Sequence, residues 1–201
     1  MRFIISLFMF LFSFSSVFAY NFVEENISLG LVGYGYIPME TDKDILGYGG
    51  GGGVKVKYDI NKYVGIGLYS GLTISSSNTN NSNNLTLYND SRFSIIFQRE
   101  TDDGEDGFVP WGSIGIGFVS GSVKYGDYQS MEDAIGFSAT LSAGLKYNFN
   151  VFYAGIGAEY SFSRLYGDII NNFFDGYYSR QAGVLLNTSG FNIFGEFGVR
   201  F

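Results

Sequence analysis

The chain of 201 residues contains no cysteine, no histidine and only 2 prolines. Without cysteine, no disulfide framework holds the fold. Without histidine, a serine nucleophile lacks its usual base, and the thiol alternative is missing too. Only carboxylates, lysines and tyrosines remain for such work, and no paired arrangement of them stands out, so no catalysis, cofactor or metal is expected. Charge is also scarce, at 15% of residues against roughly 25% in ordinary globular domains. The formal net charge of −7 comes without the basic clusters that displace counterions from nucleic acid, which excludes a sequence-independent nucleic-acid binder.

Long hydrophobic runs are missing as well, with one exception. Met1-Arg2 is followed by an apolar run from Phe3 to about Phe14, then Ser15-Ser16-Val17-Phe18-Ala19. That order of basic start, apolar stretch and small-residue end is a secretory signal, with Val17 and Ala19 three and one residues before the cut. The run is shorter than the ~20 residues of a spanning helix. The expectation is a cleaved signal peptide over residues 1–19 and one domain over 20–201. No later segment is apolar for ~18 residues, so a membrane could be crossed only by a closed sheet, which pairs every backbone polar group internally.

What the chain has in abundance is glycine, 29 residues, with 16 tyrosines and 21 phenylalanines. Mean hydropathy is nevertheless close to zero. Greasy and polar residues therefore share segments, and the order in which they do so has period two. From Ile135 to Tyr147, Ile135, Phe137, Ala139, Leu141, Ala143, Leu145 and Tyr147 fall on one face of a strand. Gly136, Ser138, Thr140, Ser142, Gly144 and Lys146 fall on the other. Helical spacing would mix these sets. The same alternation recurs and predicts eight strands: 26–37, 45–58, 63–74, 85–98, 109–124, 134–147, 151–165 and 181–201. Asn187-Thr188-Ser189-Gly190 could turn the last one, but single-chain bacterial barrels have even strand counts, so one long strand is expected.

Small and charged residues share a face, and large apolar ones point the other way. A barrel of eight strands has room inside only for side chains, so the small polar set is expected inside and the apolar set against lipid. The fold class is an all-β, eight-stranded antiparallel up-and-down transmembrane barrel. Parity sends Lys55, Lys57, Arg92, Lys146, Glu159, Glu196 and Arg200 inward. An unpaired charge there is costly, so Glu159 and Glu196 are expected to pair with Arg92, Lys55 or Arg200. Such a network neutralises charge structurally or, alternatively, forms a gated ion path. Tyr20, Tyr36, Tyr58, Tyr63, Tyr147, Tyr153 and Phe201 lie near strand ends and suit interfacial girdles.

Three further segments have a chemical and a plain reading. Gly49 to Gly53 lacks the following helix that a phosphate loop needs, and reads as a glycine-rich strand. Thr101 to Gly107 is rich in carboxylates but lacks the spacing of a calcium loop, and reads as a solvated turn. Asn78 to Asn84 reads as a flexible polar loop. The outer connections would be Pro38–Asp44, Ser75–Asn84, Tyr125–Asp133 and Tyr166–Arg180, mostly longer than the inner ones. In the last, Phe173, Phe174, Tyr177 and Tyr178 form a candidate contact patch, unless that loop packs over the barrel mouth.

Three features carry a family likeness: Tyr58-Asp59-Ile60-Asn61-Lys62-Tyr63 between glycine-alternating strands, Pro110-Trp111-Gly112 opening a strand, and terminal Phe201. With these the whole chain beyond residue 19 resembles the small bacterial outer-membrane barrels of the OmpA-domain, OmpX and OmpW type. The resemblance implies residence in the outer membrane, contact with its lipid and lipopolysaccharide, and recognition of Phe197, Val199 and Phe201 by the barrel-assembly machinery. The glycine usual six residues from the end is Glu196 here. Enzymes of that membrane, as their families are known, use a catalytic histidine, which this chain lacks. The leading functional expectation is a structural or surface-interaction barrel that displays four loops, binding host or partner proteins or lipopolysaccharide. The alternative is a small OmpW-like channel or transporter for small or hydrophobic solutes. A soluble lipocalin-like carrier is a third class.

Overall fold

The computed structural model describes residues 26–39, 47–79, 82–99, 106–125, 129–130, 134–171 and 179–201. Residues 1–19, the patch Phe173, Phe174, Tyr177 and Tyr178, and most of the acidic turn lie outside the described residues. The strands are β1 (Ile27–Pro38), β2 (Gly49–Asp59), β3 (Val64–Thr79), β4 (Ser82–Gln98), β5 (Gly107–Tyr125), β6 (Gln129–Ser130), β7 (Ala134–Phe149), β8 (Phe152–Asn171), β9 (Ser179–Asn187) and β10 (Gly190–Arg200). Each long strand pairs antiparallel with the next, and β10 returns to β1, from Ser28 opposite Arg200 to Pro38 opposite Gly190. The sheet is thereby closed and has no free edge within the band.

Among the described residues, ten segments make eight staves. β6 is a two-residue pairing with the far end of β5. β9 and β10 both pair with β8, and the register runs unbroken across their junction: Gly190 faces Ser161 and Asn187 faces Arg164. The eighth strand is therefore one long strand, interrupted rather than turned at Thr188-Ser189. Side chains take over the ladder there. The Ser163 amide donates to Ser189 Oγ at 3.0 Å, the Thr188 amide donates to the Ser163 carbonyl at 3.0 Å, and the Ser163 and Thr188 hydroxyls bond each other. One bulge follows, between Leu165 and Tyr166.

The alternation sorts as physics requires of a membrane barrel. Phe137, Leu141 and Ile156 are 65%, 62% and 70% exposed, while Ser138 is 4% and Glu159 6% exposed. In a lipid environment that outer face forms the apolar belt.

Two connections at the end holding the chain termini, β2–β3 and β7–β8, are tight. Asn61 caps the β2–β3 turn, its side chain accepting from the Tyr63 and Val64 amides at 2.8 and 2.9 Å. Asn150, between β7 and β8, has φ 55, a left-handed conformation that asparagine tolerates better than most residues. Both prolines sit near strand ends, Pro38 closing β1 and Pro110 early in β5, where a missing amide costs the ladder least.

Strand pairing continues farther than the apolar pattern does. Asn78 faces Asn83 and Thr79 faces Ser82, so the segment read as a loop is largely the top of the β3–β4 hairpin. β8 likewise continues to Asn171 and β9 begins at Ser179. Backbone hydrogen bonds need no apolar face, and beyond the belt nothing selects for one. Gly49–Gly53 is strand, as its context suggests, and its inward glycines make space. A Cβ on Gly51 would lie 2.6 Å from the Tyr34 hydroxyl, and one on Gly53 2.8 Å from the Tyr69 ring.

Candidate functional site in the barrel lumen

The interior is organised in layers. Nearest the chain termini, Lys57 sits 2.8 Å from Asp59. Gln98 accepts from Lys57 and Lys146 and donates to Asp59 at 2.8 Å. All four side chains are buried. Above this layer, Lys55 on β2 spans β1 to reach Glu196 on β10 at 2.9 Å. The Lys55 ammonium also lies 4.5 Å from the centre of the Trp111 ring. Trp111 packs against Phe194 with ring centres 5.8 Å apart, and Ile96 joins them in one apolar cluster.

The next layer crosses the barrel. Arg92 on β4 reaches Glu159 on β8 at 2.7 Å and also contacts Asp90 on its own strand at 3.2 Å. The Tyr69 ring stacks 4.4 Å from the guanidinium. Ser142 donates to Glu159 Oε2 at 2.9 Å, Asn192 donates to Glu159 Oε1 at 3.0 Å, and Ser138 donates to Asp90 at 2.9 Å. Higher still, Tyr34 bonds Thr73 at 2.6 Å, and Tyr36 packs edge-on to Tyr88.

Electrostatically the arrangement balances. Lys55, Lys57, Arg92 and Lys146 stand against Asp59, Asp90, Glu159 and Glu196, four of each sign. Desolvating an ion costs several kcal/mol, recovered only when partners and hydrogen bonds are close; here each carboxylate has such partners. Arg200, on the residue opposite Ser28, is half-buried at the rim of the termini-bearing end. Phe197 and Phe201 point outward at that same end, with Val199 half-buried between them, and Phe197 stacks on Phe152 at 6.0 Å.

Two expectations need correction. Tyr36 and Tyr153 are not girdle residues; both are buried inside the barrel, because they share strand parity with the inward residues. The lumen is also less purely small and polar than its glycines suggest. Trp111, Phe194, Ile96, Tyr69 and Tyr88 fill it as well. Asp90 also belongs to the inward set, since it stands two residues before Arg92 and shares its face. A cavity of ≈ 40 Å³ remains between the Lys55–Glu196 and Arg92–Glu159 pairs.

A closed eight-stranded cylinder with an apolar exterior and a paired ionic interior is the architecture of a membrane-spanning barrel. Solved structures of similar fold agree. The chain superposes on neisserial surface protein A with a TM-score of 0.60 at 9% sequence identity, covering 87% of this chain and 97% of that one. It superposes on the outer membrane protein OprG of Pseudomonas aeruginosa with a TM-score of 0.58 at 11% identity, covering 88% and 96%. No protein-family model matches the chain, and no curated protein matches it in sequence.

Proposed function

We propose that the protein is a non-catalytic surface-interaction barrel. A sealed, rigid cylinder carries outer loops that bind lipopolysaccharide or host or partner proteins. The observation that carries this reading is the Arg92–Glu159 contact across the lumen, stacked above Lys55–Glu196 and the Trp111–Phe194–Ile96 cluster. Side chains locked to one another from opposite walls make a plug, whereas a solute path needs an open or weakly bound centre. The rise of β3, β4, β5 and β8 past the apolar belt gives the loops a stiff base. Phe173, Phe174, Tyr177 and Tyr178 are the proposed contact residues, between β8 and β9. Residues 1–19 are proposed to be removed on export. Phe197, Val199 and Phe201 are proposed to guide assembly.

The test has two arms. The barrel is refolded in detergent and used in pull-downs against isolated lipopolysaccharide and host surface proteins, with a version lacking 172–178 as control. Binding that the deletion abolishes supports the proposal. Planar-bilayer recordings form the second arm. Steady conductance in clean preparations would overturn the sealed-scaffold reading in favour of the channel.

A further inference from the structure

Two of the residues lining the cavity between the two central ion pairs carry buried polar atoms that find no hydrogen-bond partner among the described residues. They are Trp111 Nε1, a donor, and Asn192 Oδ1, an acceptor. Trp111 is only 8% exposed, so bulk solvent does not serve its indole. The orientation of the Asn192 amide is forced. Its nitrogen donates to Glu159 Oε1 at 3.0 Å, and a carboxylate held by Arg92 only accepts. The amide oxygen is thereby left as the atom without a partner among the described residues. The indole is fixed too, because its ring packs against both the Lys55 ammonium and Phe194.

We infer that this cavity is a built binding site for water, one molecule of which accepts from Trp111 Nε1 and donates to Asn192 Oδ1. The volume of ≈ 40 Å³ exceeds the roughly 10–15 Å³ that a cavity needs to hold a water. The chemistry selects a neutral dipole over an ion. The indole donor repels a cation, the amide acceptor repels an anion, and the flanking charges already cancel in pairs. Water also completes the circuit between the layers. Asn192 links it to Glu159 and Arg92, while Trp111 links it to Lys55 and Glu196. The two ion pairs then belong to one connected network rather than to two stacked ones. The site stands independently of whether the loops bind anything.

The chain has a single tryptophan, so its indole proton gives one nuclear magnetic resonance signal in the refolded, detergent-solubilised barrel. The expected result is a cross-peak from that proton to a long-lived water, lost in Asn192→Leu, which removes the acceptor and fills the space. Heat-modifiable gel mobility checks that the variant is folded. Absence of the cross-peak in the wild type overturns the inference. So does its persistence in folded Asn192→Leu, which would assign it to an exchanging hydroxyl such as that of Thr140. If Asn192→Leu does not fold, a wild-type crystal structure decides. Density within hydrogen-bond reach of both atoms supports the site, and an empty cavity refutes it.

Discussion

Arg92 and Glu159 belong to strands separated by two others, yet their side chains meet at 2.7 Å inside the barrel. The contact exists only because the sheet closes on itself, and it ties opposite walls together.

Removing one member should therefore hurt more than removing both. Glu159→Ala leaves Arg92 with Asp90 as its remaining carboxylate partner, away from bulk solvent, and is expected to destabilise the barrel by about 3–5 kcal/mol. The double variant Arg92→Met with Glu159→Met should recover a large part of that loss. Urea unfolding in detergent, followed by tryptophan fluorescence, gives both numbers. Equal losses for the single and double variants would contradict a paired interior.

Inward and outward positions on one strand should respond oppositely to charge and size. Leu141→Arg places a cation on the apolar belt and is expected to cost about 2–4 kcal/mol. Ser138→Ala, three residues away and inside, removes one hydrogen bond to Asp90 and should cost about 1 kcal/mol. Folding yield into phospholipid vesicles reports the first, and equilibrium unfolding the second.

Two glycines test the same geometry through space alone. On Gly53 a Cβ would meet the Tyr69 ring at 2.8 Å, whereas on Gly33 it would meet nothing within 4 Å. Gly53→Val is expected to overpack the lumen at a cost of about 1–3 kcal/mol. Gly33→Ala should be neutral or stabilise by up to about 1 kcal/mol. Midpoints of thermal unfolding, read by gel mobility, separate the outcomes.

The interruption at Thr188-Ser189 depends on hydroxyls standing in for backbone. Ser189→Ala removes the acceptor of the buried Ser163 amide and should destabilise by about 1–3 kcal/mol. Hydrogen exchange at the Ser163 amide should quicken in the variant relative to the neighbouring β8 amides.

How much of this was readable beforehand depended on the belt. Where lipid demands a greasy side chain at every second position, as from Ile135 to Tyr147, both strand and facing follow directly. Above the belt that demand ends, and the pairing of Asn78 with Asn83 leaves no trace in the pattern. Aromatic residues misled for a related reason. Tyr36 and Tyr153 have the composition of a girdle, but only their parity with Ser28 and Glu159 reveals that they point inward. Parity alone also places Asp90 beside Arg92. It does not say which wall an inward charge reaches, because that follows from the width and stagger of the closed cylinder, so Arg92–Glu159 had to be seen in three dimensions.

The β1–β10 ladder has a kinetic consequence. It joins β1 to β10, so the loop closed by those hydrogen bonds takes in every strand between them. Such distant pairings form slowly because the chain entropy they consume is lost before they contribute anything. Until the last strand arrives, β1 offers a raw edge to any other strand it meets. A copy truncated before Gly190 would be left to aggregate through that edge.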